Sequence, residues 1–311
     1  MARSIRLAFL GNDRWSVPSL EALARTAHQI VAVVTAIPKP AGRGNELTPT
    51  PVADIGRALG LQVLEVETVK AGHGFKALAT TAPDVVVVVA YGELLPPSVL
   101  HLPTIAPVNL HFSLLPELRG ASPVQTALLL GLERTGVTTI VMDRGLDTGP
   151  VIGQRPEPIG PADDAGSLGA RLAVIGAELL VETVDRLAAG PVAPRAQDDS
   201  LATDAPRFAP EDRILDWSNP ARVLVNLCRA LAPEPAATTR FRGEGVKVFR
   251  AETTPGAGEP GSIVDVSKDG FVVATVEGGL RPLELAPAGR RRMSGADFVN
   301  GYRPEVGERL E

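Results

Sequence analysis

The sequence predicts a two-domain protein in which an α/β domain with a parallel sheet precedes a smaller antiparallel barrel. The chain has 311 residues, 44% of them hydrophobic, which is enough for two cores. Short apolar runs alternate with helical patterns in the first half, whereas the last third has short runs separated by glycine. We place the first domain at 1–190, a linker at 191–210 and the second domain at 211–311.

The first domain opens with the order strand, helix, strand, helix. Apolar runs at 5–10 and 30–34 predict strands, and apolar residues at helical spacing over 17–24 and 52–59 predict helices. The segment 84–90 contains five consecutive valines, as expected of a central strand that is covered on both faces. Strands separated by helices in this way favour a parallel sheet.

Further along, the pattern predicts a helix, a strand, a long helix and then the barrel. Residues 124–130 have a helical pattern, 138–142 a strand pattern, and 168–179 belong to an amphipathic helix that ends before Gly190 and Pro191. The segment 191–210 is rich in Pro, Ala and Asp and lacks periodicity, which is typical of a linker. A helix around Cys228 follows. The predicted barrel strands are 245–249, 261–266, 270–276 and 280–285.

Composition excludes several classes of protein. The net charge of -5 is too small and of the wrong sign for a generally basic nucleic-acid coat, so any RNA contact must be local. The single cysteine, Cys228, excludes an intramolecular disulfide and a cysteine-based zinc site. The apolar run at 5–10 is too short for a signal peptide, and the sequence has no stretch of about 20 apolar residues. We therefore expect a cytoplasmic protein with no membrane contact and no metal.

The candidate chemistry is concentrated in three residues. Asn109 and His111 are two positions apart at the end of a predicted strand, so their side chains point to the same face. Asp147, in the sequence Gly-Leu-Asp-Thr-Gly, is placed in a loop from which its carboxylate can orient the imidazole. An amide, an imidazole and a carboxylate can transfer a proton and stabilise an oxyanion. Asp143 is the rival carboxylate.

Two absences from the sequence narrow the reaction class. The chain has no Gly-x-Ser-x-Gly nucleophile, which favours direct transfer between two bound substrates. The first strand is followed by Gly11-Asn12-Asp13, which has one glycine where a dinucleotide fingerprint needs three, so we do not expect NAD or FAD. Ligands of open parallel sheets bind at the carboxyl ends of strands, where Tyr91, Asn109 and Asp147 all occur.

At these positions the chain resembles the methionyl-tRNA formyltransferase family. The similar segments are collinear over nearly the whole chain: Pro-Ala-Gly-Arg-Gly at 40–44, Val-Val-Ala-Tyr-Gly at 88–92, residues 109–125 and 142–150, Asp-Trp-Ser at 216–218, and Pro-Ala-Gly-Arg at 287–290. The resemblance implies a Rossmann-like formyltransferase domain followed by an oligonucleotide-binding-type barrel that helps to hold tRNA. It also implies 10-formyltetrahydrofolate as co-substrate and methionyl initiator tRNA as acceptor. We expect a monomer.

The resemblance assigns roles to nine residues. Asn109, His111 and Asp147 fall on the family's catalytic positions. The folate-contact loop corresponds to Ser113, Leu114, Leu115 and Pro116. Arg43 matches the key basic position of a loop that encloses the acceptor stem, and Lys39 lies in the same loop.

The chain departs from the family's pattern at several points that concern tRNA docking more than chemistry. Glu46 lies near a position where relatives commonly carry lysine, and Glu117-Leu118 replaces a basic or small residue followed by Trp. Asp204 stands where Tyr is usual, and Glu234 lies in an altered Asn-Pro-Trp-Pro-like segment.

Three other functions are consistent with the same residues. Formyl transfer to an amino sugar nucleotide or another small amine would use the same Asn-His-Asp set, but it would need neither a second domain nor Arg43. Hydrolysis of the formylfolate would release formate without an acceptor. A non-catalytic RNA- or folate-binding protein would bind without turnover, and the intact Asn109, His111 and Asp147 argue against it.

Overall fold

The computed structural model describes residues 3–41 and 46–311, which form two compact units. Unit 1 takes the described residues up to Pro123 together with Thr135–Pro158 and Gly169–Pro206, and unit 2 takes Val124–Arg134, Ile159–Leu168 and Arg207–Glu311. These units divide the chain differently from the composition-based boundaries at 190 and 211. Residues 191–206 group with unit 1, and two internal segments group with unit 2.

Unit 1 is built on a seven-stranded sheet. Its strands are β1 (Arg6–Gly11), β2 (Gln29–Ala36), β5 (Val63–Val66), β6 (Val85–Val89), β7 (Ala106–His111), β8 (Arg134–Val141) and β9 (Val151–Pro158). Their order is β5-β2-β1-β6-β7-β8-β9. The pairs from β5 to β7 are all parallel, whereas β7 and β8 are antiparallel. The predicted parallel-sheet core is confirmed, with an antiparallel addition at one side.

The helices and a small hairpin complete the first part of the fold. The helices are α1 (Val17–Ala24), α2 (Pro51–Ala58), α3 (Gly72–Thr80), α4 (Pro97–Leu100), α5 (Pro123–Leu129) and α6 (Ala165–Ala189). The hairpin consists of β3 (Lys39–Ala41) and β4 (Glu46–Thr48). Thr50 begins α2 with a side-chain cap on the amide of Ala53, and Pro51 occupies the first helical position, where its missing N–H costs nothing.

The valine run is confirmed as the central strand. Residues Val85–Val89 are at most 5% exposed, because β1 and β7 flank β6 and both of its faces are covered. Burial of these branched side chains supplies stabilisation of about 1.5–3 kcal/mol each relative to exposure. This rigid centre fixes the strand ends at which the polar residues of the candidate site lie.

Unit 2 contains an antiparallel sheet that its own C-terminal residues close. Its elements are α7 (Ala221–Leu231), β10 (Ala237–Phe241), β11 (Glu244–Thr254), β12 (Ile263–Ser267), β13 (Gly270–Ala274), β14 (Gly279–Pro287), β15 (Met293–Ser294) and α8 (Gly295–Tyr302). The strand order is β10-β11-β14-β13-β12, with β15 beside β14. Phe241 bridges Leu310 and Ser262 bridges Arg309, so the last residues connect the two edges of the sheet. The predicted small antiparallel barrel is confirmed.

Cys228 is fully buried on the apolar face of α7, within the core of unit 2. Burial raises the pKa of its thiol to about 12, so the side chain is an inert packing residue. Within 3–41 and 46–311, no helix combines the length and the apolar character needed to cross a membrane.

A stability prediction concerns Asp84, which precedes β6. Hydrogen bonds from the amide of Arg6 (2.9 Å) and then from the Thr104 hydroxyl (2.7 Å) lower the pKa of its carboxyl below the usual 3.8. Asp84→Asn turns one acceptor into a donor, and we expect the free energy of unfolding to fall by about 1 kcal/mol at pH 7. Because the folded pKa is lowered, this contribution is present above the unfolded pKa and is lost as the pH falls through the folded pKa.

Urea unfolding of the wild type and the variant between pH 3 and pH 7 checks this expectation. The difference between the two proteins should shrink toward the acid end of the series. Asp265→Asn, at an exposed position of β12, is the matched control and should leave the unfolding free energy unchanged. A difference that is independent of pH would contradict the assigned cause.

Candidate active site

Asn109 and His111 lie at the carboxyl end of β7, in unit 1. Asn109 pairs with Val88 of β6 on one side and with Ile140 of β8 on the other, so both neighbours fix its position. Two residues along the strand, His111 points to the same face and is only 5% exposed. The strand therefore delivers an amide and a buried imidazole to the same end of the sheet, as the sequence predicts.

His111 lies between two hydrogen-bond acceptors. Its Nε2 is 2.9 Å from the carbonyl oxygen of Leu118, and its Nδ1 is 3.5 Å from Oδ2 of Asp147. A carbonyl oxygen can only accept, so Nε2 carries a proton in this arrangement. A second proton on Nδ1 would be donated to the carboxylate. The ring of His111 therefore lies between a carbonyl that accepts from Nε2 and a carboxylate 3.5 Å from Nδ1.

The carboxylate of Asp147 gathers the polar groups of the site. Oδ1 accepts from Nδ2 of Asn109 at 3.4 Å, and Oδ2 accepts from the backbone amide of Gly120 at 2.9 Å. The Asp147 side chain is 13% exposed, and its backbone φ of 56° lies in the left-handed region. The structure therefore brings Asn109, His111 and Asp147 into one cluster. Their assignment as catalytic residues stays a prediction.

The rival carboxylate, Asp143, is occupied elsewhere. Its Oδ1 accepts from the amide of Gly145 (3.0 Å) and from the hydroxyl of Thr148 (2.6 Å), which closes the turn of the 143–149 loop. The Asp143 residue is exposed. Asp143 thus shapes the loop that presents Asp147, whereas Asp147 itself faces His111.

Sequence reasoning missed a second group of residues beside Asp147. Gln197 donates from Nε2 to the carbonyl oxygens of Asp147 and Gly149, both at 2.7 Å. Its Oε1 accepts from Nε and Nη2 of Arg119, at 3.1 and 2.8 Å. Gln197 lies in the segment 191–210, where the composition predicts a linker and no periodic pattern marks a contact. Only its proximity in space reveals it.

The predicted folate-contact loop is firmly anchored to the sheet. Ser113 is fully buried and donates its hydroxyl to the carbonyl of Glu117 at 2.6 Å, and Leu115 is 2% exposed. Leu114 packs against Gly136, where a Cβ would lie 2.5 Å from Leu114 Cδ2. Pro116 is half-buried. Most side-chain atoms of this loop are used in packing. Folate contact by Ser113, Leu114, Leu115 and Pro116 stays a prediction, and it could involve only the atoms that remain accessible.

Asn12 connects three neighbouring strand ends. Its Oδ1 accepts from the Thr35 hydroxyl (2.9 Å) and from the amide of Ala36 (2.7 Å), and its Nδ2 donates to the carbonyl of Tyr91. Tyr91 is buried. Its burial is the main cause, and the nearby charge of Glu93 the lesser cause, of a raised pKa of its phenol, which remains neutral. The asparagine after β1 thus ties the ends of β1, β2 and β6 together.

The two predicted tRNA-binding residues are Lys39 and Arg43. Lys39 is exposed on β3, where it pairs with Thr48 of β4. Arg43 lies outside the described residues. Both assignments stay predictions. Among the described residues, no cluster of His, Cys, Asp and Glu side chains could hold a metal ion.

Comparisons with known proteins agree on one family. A model described as formyl transferase matches residues 5–184, and a model described as formyl transferase, C-terminal domain, matches 207–303. A methionyl-tRNA formyltransferase of Solibacter usitatus (strain Ellin6076) is 41% identical over 308 residues and covers 98% of this chain and 98% of its own.

Two solved structures share the fold. Methionyl-tRNA formyltransferase from Clostridium thermocellum has a TM-score of 0.57 at 16% identity, covering 80% of this chain and 94% of its own. An N-formyltransferase from Helicobacter canadensis, solved with folinic acid and dTDP-3-aminofucose, has a TM-score of 0.66 at 18% identity and covers 89% of this chain and 98% of its own. Likeness at such identity concerns the fold alone.

Proposed function

The chain belongs to the methionyl-tRNA formyltransferase family, and from that premise we propose that it transfers a formyl group from 10-formyltetrahydrofolate to the α-amino group of methionine on initiator tRNA. The observation that carries this proposal is the convergence of Asn109, His111 and Asp147 at the end of β7. The reaction needs an oxyanion donor and a path for one proton, and these three side chains provide both.

Asn109 is the residue best placed to stabilise the developing charge. The methionine amine attacks the formyl carbon, and negative charge grows on the formyl oxygen. Asn109 is half-buried, and its Nδ2 makes only a long contact of 3.4 Å to Asp147, so it can turn to that oxygen without giving up a strong bond. By analogy with other oxyanion donors, the interaction is worth roughly 3 kcal/mol in the transition state.

His111 and Asp147 manage the charge and the proton. A doubly protonated His111 would place a positive charge beside the reacting carbonyl, with the carboxylate of Asp147 lying 3.5 Å from its Nδ1. The Nδ1 to Oδ2 distance of 3.5 Å is longer than the Nε2 contact to Leu118, so this is the contact that substrate can displace. The amine loses one proton, the bond from the formyl carbon to folate N10 breaks, and N10 receives a proton through this pair.

The whole length of the chain favours tRNA as the acceptor. The relative from Solibacter usitatus matches both units, and the C-terminal model matches 207–303. The Helicobacter canadensis N-formyltransferase shares the fold over 89% of this chain, so the acceptor is inferred from the 41% identity with a methionyl-tRNA formyltransferase and not from the presence of a second unit. We also propose that the protein works in the cytoplasm, where initiator tRNA is used in translation, and that it works as a monomer.

One assay tests the function. Purified protein is incubated with 10-formyltetrahydrofolate and charged initiator tRNA, and formyl-methionine and free formate are both measured. Formyl-methionine in stoichiometry with folate consumption supports the proposal. Formate without formyl-methionine would instead show a hydrolase, and turnover only with an added nucleotide amino sugar would show a small-amine formyltransferase.

We expect the loop that contains Arg43 to bind the acceptor end of the tRNA. Arg43→Ala should raise KM for charged tRNA by about tenfold and leave folate binding intact, because a cation near the acceptor stem is lost. Each phosphate contact removed makes the salt dependence shallower, so the slope of log KM against log salt should decrease by about one. Arg25→Ala, at an exposed position after α1, is the control.

Glu46, which lies near a position where relatives commonly carry lysine, allows a variant with the opposite expected effect. Glu46→Lys replaces a negative charge by a positive one at the exposed start of β4 and should lower KM for tRNA modestly. Lys39→Ala should act in the same direction as Arg43→Ala. If Arg43→Ala left the tRNA kinetics and their salt slope untouched, the loop would serve another acceptor.

A further inference from the structure

The acceptors on both sides of His111 are held by residues with an unfavourable backbone. Leu118, whose carbonyl faces Nε2, has a φ of 59°, and Asp147, whose carboxylate faces Nδ1, has a φ of 56°. Left-handed conformations are disfavoured for residues other than glycine, because the Cβ crowds the following carbonyl. Such residues keep this conformation only when their surroundings hold them in it.

One short stretch of chain contacts both of these residues. We call residues 195–205 the bracing segment. It begins where Arg195 bridges Val151, and it then runs beside the loop that carries Leu118, with the amide of Arg119 donating to the carbonyl of Thr203 at 2.8 Å and Ala205 donating to the carbonyl of Arg119 at 2.7 Å. The bracing segment is therefore held in place within unit 1 by backbone hydrogen bonds.

Thr203 holds the Leu118 side of the imidazole. Its Oγ1 accepts from the backbone amide of Leu118 at 2.9 Å. The carbonyl of the same residue, Leu118, accepts from His111 Nε2. Since the amide and the carbonyl of Leu118 flank the same pair of backbone dihedrals, a contact that fixes the amide also limits the direction of the carbonyl.

Gln197 holds the Asp147 side. Both of its amide hydrogens are used, one on the carbonyl of Asp147 and one on the carbonyl of Gly149. Its oxygen accepts twice from Arg119, whose side chain is 11% exposed and also pairs with Asp199 at 2.7 Å. The side-chain nitrogen of Gln197 faces two carbonyl oxygens and its side-chain oxygen faces the Arg119 guanidinium, so the side-chain amide can take only one orientation. Gln197 is thereby a fixed support beneath the carboxylate that faces His111.

We propose that Gln197 and Thr203 are positioning residues for formyl transfer, acting through Asp147 and Leu118 on the hydrogen bonds of His111. The inference rests on the proposed function. It assigns a task to the chain beyond Gly190 that composition marks as a linker: the bracing segment completes the active site of unit 1. Neither residue needs to touch a substrate, because each fixes an acceptor of the imidazole.

The kinetic experiment uses two near-isosteric changes in the full chain. Gln197→Glu keeps the acceptor for Arg119 but turns an oxygen toward two carbonyl oxygens, and Thr203→Val keeps the shape but removes the hydroxyl acceptor. We expect each to lower kcat about tenfold or more, with KM for the folate and for charged tRNA within threefold of wild type. Thr203→Ser retains the hydroxyl and should restore at least half of kcat. Gln62→Glu, at an exposed position, is the control for the added charge.

A double mutant separates positioning from general damage. If Gln197 acts through Asp147, then Gln197→Glu should cost no further activity in an Asp147→Asn background. A multiplied loss in the double mutant would overturn the inference. So would kcat values within threefold of wild type for both Gln197→Glu and Thr203→Val, or a loss confined to KM.

A spectroscopic experiment tests the positioning role of Gln197 and Thr203 independently of which acceptor is the substrate. Nitrogen-15 spectra of labelled histidine report the protonation and hydrogen bonding of each ring, and His111→Ala identifies the His111 signals. Gln197→Glu should move the Nδ1 signal of His111, and Thr203→Val its Nε2 signal, while the signals of His28, His73 and His101 stay in place. Unmoved His111 signals in both variants would overturn the positioning role, whereas absent formylation by the wild type would overturn only the proposed function.

Discussion

Asn109→Ala, His111→Ala and Asp147→Asn are each expected to lower kcat for formyl transfer by about 100-fold or more, with the fold retained. A loss of this size corresponds to roughly 3 kcal/mol of transition-state stabilisation, as found when one oxyanion donor is removed. Asp147→Asn is the most informative of the three. The carboxylate accepts from Asn109 and from the amide of Gly120 and lies 3.5 Å from Nδ1 of His111, whereas an amide must turn its NH2 toward one of those groups.

Asp143→Asn is the matched control for the carboxylate. Its Oδ1 accepts from Gly145 and Thr148, and an asparagine oxygen can accept both of these bonds, so turnover should remain close to wild type. The measurements are single-turnover rates and circular dichroism of all four variants. Near-normal turnover of Asp147→Asn together with an inactive Asp143→Asn would reverse the assignment of the two carboxylates.

Gly149→Ala is expected to abolish most activity and to destabilise the protein. A Cβ at this buried position would lie 1.8 Å from the carbonyl oxygen of Val141 and 2.9 Å from its carbonyl carbon. Backbone atoms of β8 cannot retreat as a flexible side chain can, so the 143–149 loop must move. We expect the free energy of unfolding to fall by about 2–3 kcal/mol, as in other overpacked sites. Because Asp147 lies two residues earlier, kcat should fall at least tenfold in the folded fraction.

Gly301→Ala tests whether this effect comes from crowding. Gly301 lies in α8, and its Cβ would meet no atom within 4 Å, so alanine should be neutral or should stabilise the helix by up to about 1 kcal/mol. Thermal unfolding and kcat of both variants are the measurements. Wild-type activity and stability in Gly149→Ala would show that the loop can relax freely, contrary to the close approach seen at Val141.

The strongly patterned elements were predictable from their residues. The valine run became the central strand β6 because uninterrupted branched side chains can only be buried with sheet neighbours on both sides. The amphipathic run that starts near Leu168 became α6, which extends through Ala189 before Gly190. Short elements with weak patterns, such as β5 and the β3 and β4 hairpin, were not predicted, because three or four residues carry too little periodicity.

Local patterns were sufficient to predict a parallel-sheet core, a small antiparallel second unit and the convergence of Asn109 and His111 at one strand end. Hydrophobic periodicity is a local property, and the spacing of Asn109 and His111 on one strand already places them on one face. The sequence could not select Asp147 over Asp143 by geometry, since both belong to one loop of seven residues. Only the fold turns one carboxylate to His111 and the other to the loop's own amides.

The contacts of the bracing segment could not be predicted from the sequence either, because they join residues that are far apart along the chain. Gln197 and Thr203 have no periodic neighbours, and composition alone makes residues 191–210 a linker. Their partners, Asp147 and Leu118, are 50 and 85 residues away in sequence. Contacts at such separation depend on how the strands are ordered in the sheet, and no local pattern encodes that order. The contacts of Gln197 with Asp147 and of Thr203 with Leu118 therefore become visible only in the folded chain.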